Sequence, residues 1–126
     1  MSLEKRRQAE TKGREAENRA RRHLEASGWR ILGQRVRAPR GSGAGELDLI
    51  ALKGSILAFC EVKARKDVTM ALEAVTPTQR QRLWRAAEAY LATQPAFASF
   101  GVRFDVLVVT GEGPIHHIED AWRLDP

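Results

Sequence analysis

Apolar and polar positions follow a helical period in two stretches of the chain and a strand-like one in five. Between Glu10 and Ser27 the positions Ala16, Ala20 and Leu24 recur every four residues, with Gly13 on the same flank and Arg14, Arg21, Arg22 and Glu25 outward. The spacing predicts a helix with one narrow buried stripe, stopped by Gly28, whose alanines allow close approach to a sheet. Residues 1–9 before it read as a flexible basic arm. Trp29-Arg30-Ile31-Leu32 reads as a first strand. Glu46 to Leu52 and Ile56 to Lys63, separated by Lys53-Gly54-Ser55, predict an antiparallel hairpin in which Asp48 falls opposite Glu61 or a neighbour. Thr76-Pro77-Thr78-Gln79 opens a second helix, with Thr76 as N-cap, Pro77 in the first turn and Gln79 closing a capping box. Leu83, Ala86, Ala87, Tyr90 and Leu91 form its expected buried face, and Pro95 ends it. The most apolar strand, 102–109, is expected at the centre of the sheet, and 115–118 at an edge.

The predicted order is helix, three strands, helix, strand and a short C-terminal strand, an α/β sandwich. The 126 residues suit one domain over 10–126, interrupted by a Gly-rich loop at 39–45. No apolar run is long enough to span a membrane. The lone Cys60 excludes an intrachain disulfide and a cysteine-cluster zinc site, and a reducing, cytoplasmic setting is expected. The net charge of +5 is uneven: residues 1–40 carry twelve Lys/Arg against five Asp/Glu, and the remainder nine against eleven. Such asymmetry steers a polyanion toward one side of the molecule without identifying it.

The hairpin also carries charges that apolar strands should not hold. Alternation sets Glu61 and Lys63 on one face of their strand, within side-chain reach of Asp48 on the neighbouring strand. Desolvated charge needs compensation. One carboxylate with Lys63 would make a structural ion pair; a second carboxylate suits a divalent cation instead. Asp48, Glu61 and the Val62 backbone carbonyl could hold Mg²⁺ (or Mn²⁺), which accepts a partial protein shell. Lys63 could then orient or deprotonate an attacking water, or offset charge developing on phosphate. Metal-dependent phosphodiester chemistry, a structural ion-pair cluster and a substrate-binding site without chemistry all remain open on spacing alone.

Gly45-Glu46-Leu47-Asp48-Leu49-Ile50 followed by Phe59-Cys60-Glu61-Val62-Lys63-Ala64-Arg65 resembles the bacterial YraN-like family of the restriction-endonuclease-like superfamily. Ala16-Glu17 with Ala20 and Leu24, Arg103-Phe104-Asp105-Val106, and His117-Ile118 with Ala121-Trp122 extend the likeness over nearly the whole chain. It implies a restriction-endonuclease-like core, with a mixed central sheet flanked by helices. It also implies catalytic roles for Asp48, Glu61, Lys63 and Glu17, with Asp48, Glu61 and Glu17 as metal ligands. Two departures concern substrate contact. A basic residue that relatives often carry at the start of the second helix is Gln79 here, with Arg80 and Arg82 nearby. An Asn often found before the hairpin is Arg35.

Arg35, Arg37, Arg40, Arg65, Gln79 and Arg80 are the expected nucleic-acid contacts, although Arg80, Arg82 and Arg85 equally suit a solvated helix face. Asp105 is expected to pair with Arg103 or a first-helix arginine, or to support the site residues. His116 and His117 face opposite ways in a strand and are poor joint ligands. Cys60 is expected to fill core, Trp84 to be a surface hydrophobe or interface anchor, and Trp29 and Trp122 to pack in satellite clusters. The favoured reading is Mg²⁺-dependent phosphodiester hydrolysis on DNA, on a branched or processed intermediate, with a homodimer as one arrangement for cutting two strands. The alternative is a non-catalytic nucleic-acid-binding or complex-scaffolding protein that retains the fold.

Overall fold

The computed structural model describes residues 2–38 and 41–123. Helix α1 (Leu3–Ala26) precedes strands β1 (Arg30–Arg37), β2 (Glu46–Lys53) and β3 (Ile56–Ala64). Helices α2 (Val68–Glu73) and α3 (Pro77–Ala92) and a 3₁₀ turn (Pro95–Phe97) lead to β4 (Gly101–Val109) and β5 (His116–Trp122). The five strands lie in chain order, all pairs antiparallel except β3–β4, which is parallel. A parallel pair requires a crossover, and α2 and α3 supply it. The result is an α/β fold with a mixed sheet flanked by helices, consistent with a restriction-endonuclease-like core.

Helix α1 lays Ala16, Glu17, Ala20 and Leu24 on the sheet. On that face Leu24, Trp29, Leu49, Ala58, Cys60 and Leu107 share a core cluster. The opposite face, under α2 and α3, holds a larger cluster around Ile50, Phe59, Leu83, Phe104, Val106 and Trp122. Cys60 is buried on the α1 face as core filling, its thiol pushed far up by burial.

Several expectations shift. The hairpin closes with Lys53 opposite Ile56, leaving a two-residue turn in which Gly54 takes φ 60. Residues 3–9, read as an arm, continue α1, because the Ser2 hydroxyl accepts from the Lys5 N–H and caps the first turn. β1 extends to Arg37 and β5 to Trp122, both beyond their expected ends. The centre of the sheet is β3, with β4 one place outward. Trp122 joins the larger core, stacked on Phe104 at 4.1 Å between ring centroids. Helix α2 was not anticipated; Asp67 caps it by accepting from the Met70 N–H. The Val68, Ala71, Leu72 and Val75 spacing was its available signal, a one-turn apolar stripe.

Candidate active site

The antiparallel ladder sets Leu49 opposite Cys60 and Ile50 opposite Phe59, so Asp48 and Glu61 come next. Beyond the last pair, the Val62 N–H donates to Asp48 Oδ2 at 2.9 Å. Glu61 is only 7% exposed. Lys63, two residues along the same strand, brings its Nζ to 3.4 Å from Glu61 Oε1. From the start of α3, Gln79 Nε2 donates to the same oxygen at 3.3 Å. This revises the capping box: the Gln79 backbone N–H does bond Thr76 Oγ1, but its side chain turns to Glu61.

These contacts leave the pair short of positive charge. Burial pushes the Asp48 carboxyl up, against the Val62 N–H bond, which favours its charged form. Glu61 is pushed up to about 8 by burial, then by the charge of Asp48 and a hydrogen bond between the two carboxyl groups; Lys63 only partly offsets this. Both carboxyl groups are thus pushed up at a place where a cation could offset their charge.

Glu17 reaches the same region from α1. It is 8% exposed, and its charge raises the Asp48 carboxyl. Arg35 grips it with two bonds, Nε to Oε1 at 2.9 Å and Nη2 to Oε2 at 3.0 Å. Arg35 lies in β1 with φ 55, a left-handed conformation that Asn adopts far more readily than Arg. Arg35 thus combines this backbone conformation with the ion pair to Glu17. Glu17 and Arg35 line an open groove of about 420 Å³ that also includes Arg14, Arg37 and Glu46.

The other expected contact residues scatter. Arg37 is exposed and pairs with Glu46 at 3.1 Å. Arg65 is exposed, bonding the Ala64 carbonyl, and Arg80 bonds the Val75 carbonyl. Arg40 lies outside the described residues. Among the described residues no three carboxylate, histidine or cysteine side chains form a ready cage for an ion. The donor set that does exist, the half-buried Asp48 and the buried Glu61 carboxyl groups, has the hard oxygen chemistry that suits Mg²⁺ or Mn²⁺. A cation held there would relieve the repulsion just described.

A second polar cluster lies on the α1 side of the sheet. Asp105 is fully buried. Arg103 donates to both of its oxygens, at 3.0 and 2.9 Å, so the pairing within the strand is the one formed. His117 Nε2 lies 2.7 Å from Oδ2, and the Asp120 N–H donates to Oδ1. Trp29 packs against both Arg103 and His117. The link to β5 had no local sequence signal.

Residues 16–109 match the model of a family described as uncharacterised protein family UPF0102. A UPF0102 protein of Paramagnetospirillum magneticum is 48% identical over 117 residues, covering 93% of this chain and 91% of the relative. One from Granulibacter bethesdensis is 47% identical over 113 residues, 90% of this chain and 69% of its own. One from Acidiphilium cryptum is 44% identical over 120 residues, 95% and 90% of the two chains.

Proposed function

Because the chain belongs to the UPF0102 (YraN-like) family and sets the half-buried Asp48 against the buried Glu61 beside a lysine, we propose that it hydrolyses phosphodiester bonds in DNA with Mg²⁺ or Mn²⁺. The substrate class is a branched or processed DNA intermediate. The observation that carries this reading is the undercompensated Asp48–Glu61 pair with Lys63 at 3.4 Å from Glu61. Structural ion pairs do not need the second carboxylate.

Asp48 and Glu61 would hold the cation, with the Val62 carbonyl and Glu17 as further oxygen donors. When bound, the ion would offset charge on the scissile phosphate and make water more acidic. Lys63 orients the attacking water and offsets negative charge as the phosphorus–oxygen bond to the water forms. The bond to the leaving oxygen breaks opposite it, and that oxygen takes up the proton that the water gives up. Gln79 fixes Glu61, and the Val62 N–H fixes Asp48. Two copies of the chain, one per strand, would cut a duplex.

One observation favours the alternative, a non-catalytic nucleic-acid-binding or scaffolding protein: Arg35 already neutralises Glu17. Cleavage assays on linear, flapped and four-way DNA decide between the two. Asp48→Ala is expected to abolish Mg²⁺-dependent cleavage with an unchanged circular dichroism spectrum. Retained cleavage overturns the site. DNA binding indifferent to EDTA, with no cleavage by the wild type, supports the alternative. Sedimentation with and without DNA tests the two-copy arrangement.

A further inference from the structure

The grooves on the two flanks of α1 differ in charge. The one beside Glu17 is balanced: Arg35 pairs with Glu17 and Arg37 with Glu46, leaving Arg14 and Glu10. On the opposite flank a larger groove, about 1000 Å³, opens between α1 and the ends of β3 and β4. Lys12, Arg19 and Arg22 line it from α1, and Arg65 and Lys66 from the segment after β3. Only Glu15 and Glu112 oppose these five cations, and none of the five is ion-paired among the described residues.

Arg19 shows how the charge is kept available. Its guanidinium is held by the backbone carbonyls of Gly111 and Gly113. Those acceptors are neutral, so the side chain is ordered without being neutralised. No aromatic side chain lines the groove, which therefore offers a backbone grip without a stacking platform. Between the two grooves stands the first half of α1, exposed over residues 2–15.

We propose that the five-cation groove seats a single strand of nucleic acid, so that α1 divides the arms of a branched substrate whose other arm lies on the Glu17 flank. This rests on the reading that the chain acts on nucleic acid, and extends it to a second seat and to the form of the substrate. Phosphates would be held by Lys12, Arg19, Arg22, Arg65 and Lys66 with no reading of base identity.

The test measures fluorescence anisotropy in EDTA, where no cleavage intervenes, with a labelled single strand, a flapped duplex and a blunt duplex. Wild type is expected to bind the flapped duplex more tightly than the blunt one. The triple variant Arg22→Glu, Arg65→Glu, Lys66→Glu is expected to lose that preference. Its slope of log affinity against log salt for the single strand falls by about 2, at roughly 0.7 for each of three lost phosphate contacts. Glu15→Gln with Glu112→Gln should tighten single-strand binding, a gain that misfolding cannot mimic. An unchanged slope in the triple variant, or equal wild-type affinity for flapped and blunt duplexes, overturns the proposal. Poly-glutamate bound as tightly as the oligonucleotide would reassign the groove to an acidic protein segment. Because binding is read in EDTA and cleavage separately in Mg²⁺, single-strand binding without any cleavage defeats the nuclease reading alone, and cleavage with an unaltered slope defeats the groove alone.

Discussion

Asp105 and Glu61 lie on neighbouring parallel strands one position apart in register, since Cys60 pairs with Asp105 and Glu61 with Val106. Both are buried carboxyl groups, on opposite faces of the sheet. Around Asp105 the fold gathers both arms of Arg103, the ring of His117 and the Asp120 N–H. Burial raises its carboxyl, but these bonds outweigh burial and hold it below the ordinary carboxylate range. Glu61 receives longer contacts from Gln79 and Lys63 and faces the like charge of Asp48. The first group is a finished structural element. The second lacks a positive charge, and that deficit separates a site from a scaffold when both are built of the same residue types.

The largest expected effect comes from breaking the finished cluster. Asp105→Ala leaves Arg103 and His117 without their shared acceptor, a loss of about 3–5 kcal/mol if the remaining charge stays buried. Denaturant melts of the metal-free protein check it. Glu61→Gln should act the other way, because it removes repulsion with Asp48 while keeping the shape. A gain of about 1 kcal/mol in metal-free stability at pH 8 is expected, together with loss of any stabilisation by Mn²⁺. A substantial loss of stability in Glu61→Gln would mean that Glu61 is as structural as Asp105.

Acidity should separate the clusters next. The Glu61 carboxyl is raised from 4.5 to about 8 in the folded chain. Its contribution is therefore fully present below about pH 4.5 and is lost as pH rises toward 8. Asp105 is lowered from 3.8, so its contribution is present above that value and is lost as pH falls through its folded pKa. Metal-free wild type should thus be most stable in mildly acidic buffer. Glu61→Gln should flatten the alkaline side of the profile and leave the acidic side intact. Thermal melts across pH measure both limbs, and a wild-type profile flat between pH 5 and 8 would contradict the Glu61 limb.

The site's centre was legible because a short hairpin turn fixes register: once Gly54 closes it, Asp48 and Glu61 have no freedom to separate. Glu17 was legible as well, since it borders the only apolar stripe on α1. What escaped depended on partners distant in sequence or on backbone conformation. Arg35 meets Glu17 across 18 positions through a left-handed residue, which composition does not announce. The Gln79 pattern fits a capping box, yet a buried carboxyl group nearby outcompetes an exposed backbone N–H for its side chain. Hydrophobicity made β4 look central, but parallel pairing put β3 between β2 and β4, and β5 covers the outer edge of β4. A single-turn helix such as α2 is too short for its period to stand out.

The smallest effect concerns Glu17, which lies between the two extremes: buried like Asp105 and close enough to Asp48 to raise its carboxyl. Replacing Arg35 asks to which cluster it belongs. Arg35→Ala loses the ion pair and keeps the left-handed strain, whereas Arg35→Gly loses the pair and relieves the strain. The Gly variant should therefore be more stable than the Ala variant by about 1 kcal/mol. Both variants remove a cation that acts on Glu17 and Asp48 together. If Glu17 serves the carboxylate pair, Mn²⁺ affinity by calorimetry should rise severalfold in both, on the order of 1 kcal/mol of relieved repulsion. If Glu17 is structural, both should lose stability with no change in Mn²⁺ affinity, and Arg35 would be to Glu17 what Arg103 is to Asp105.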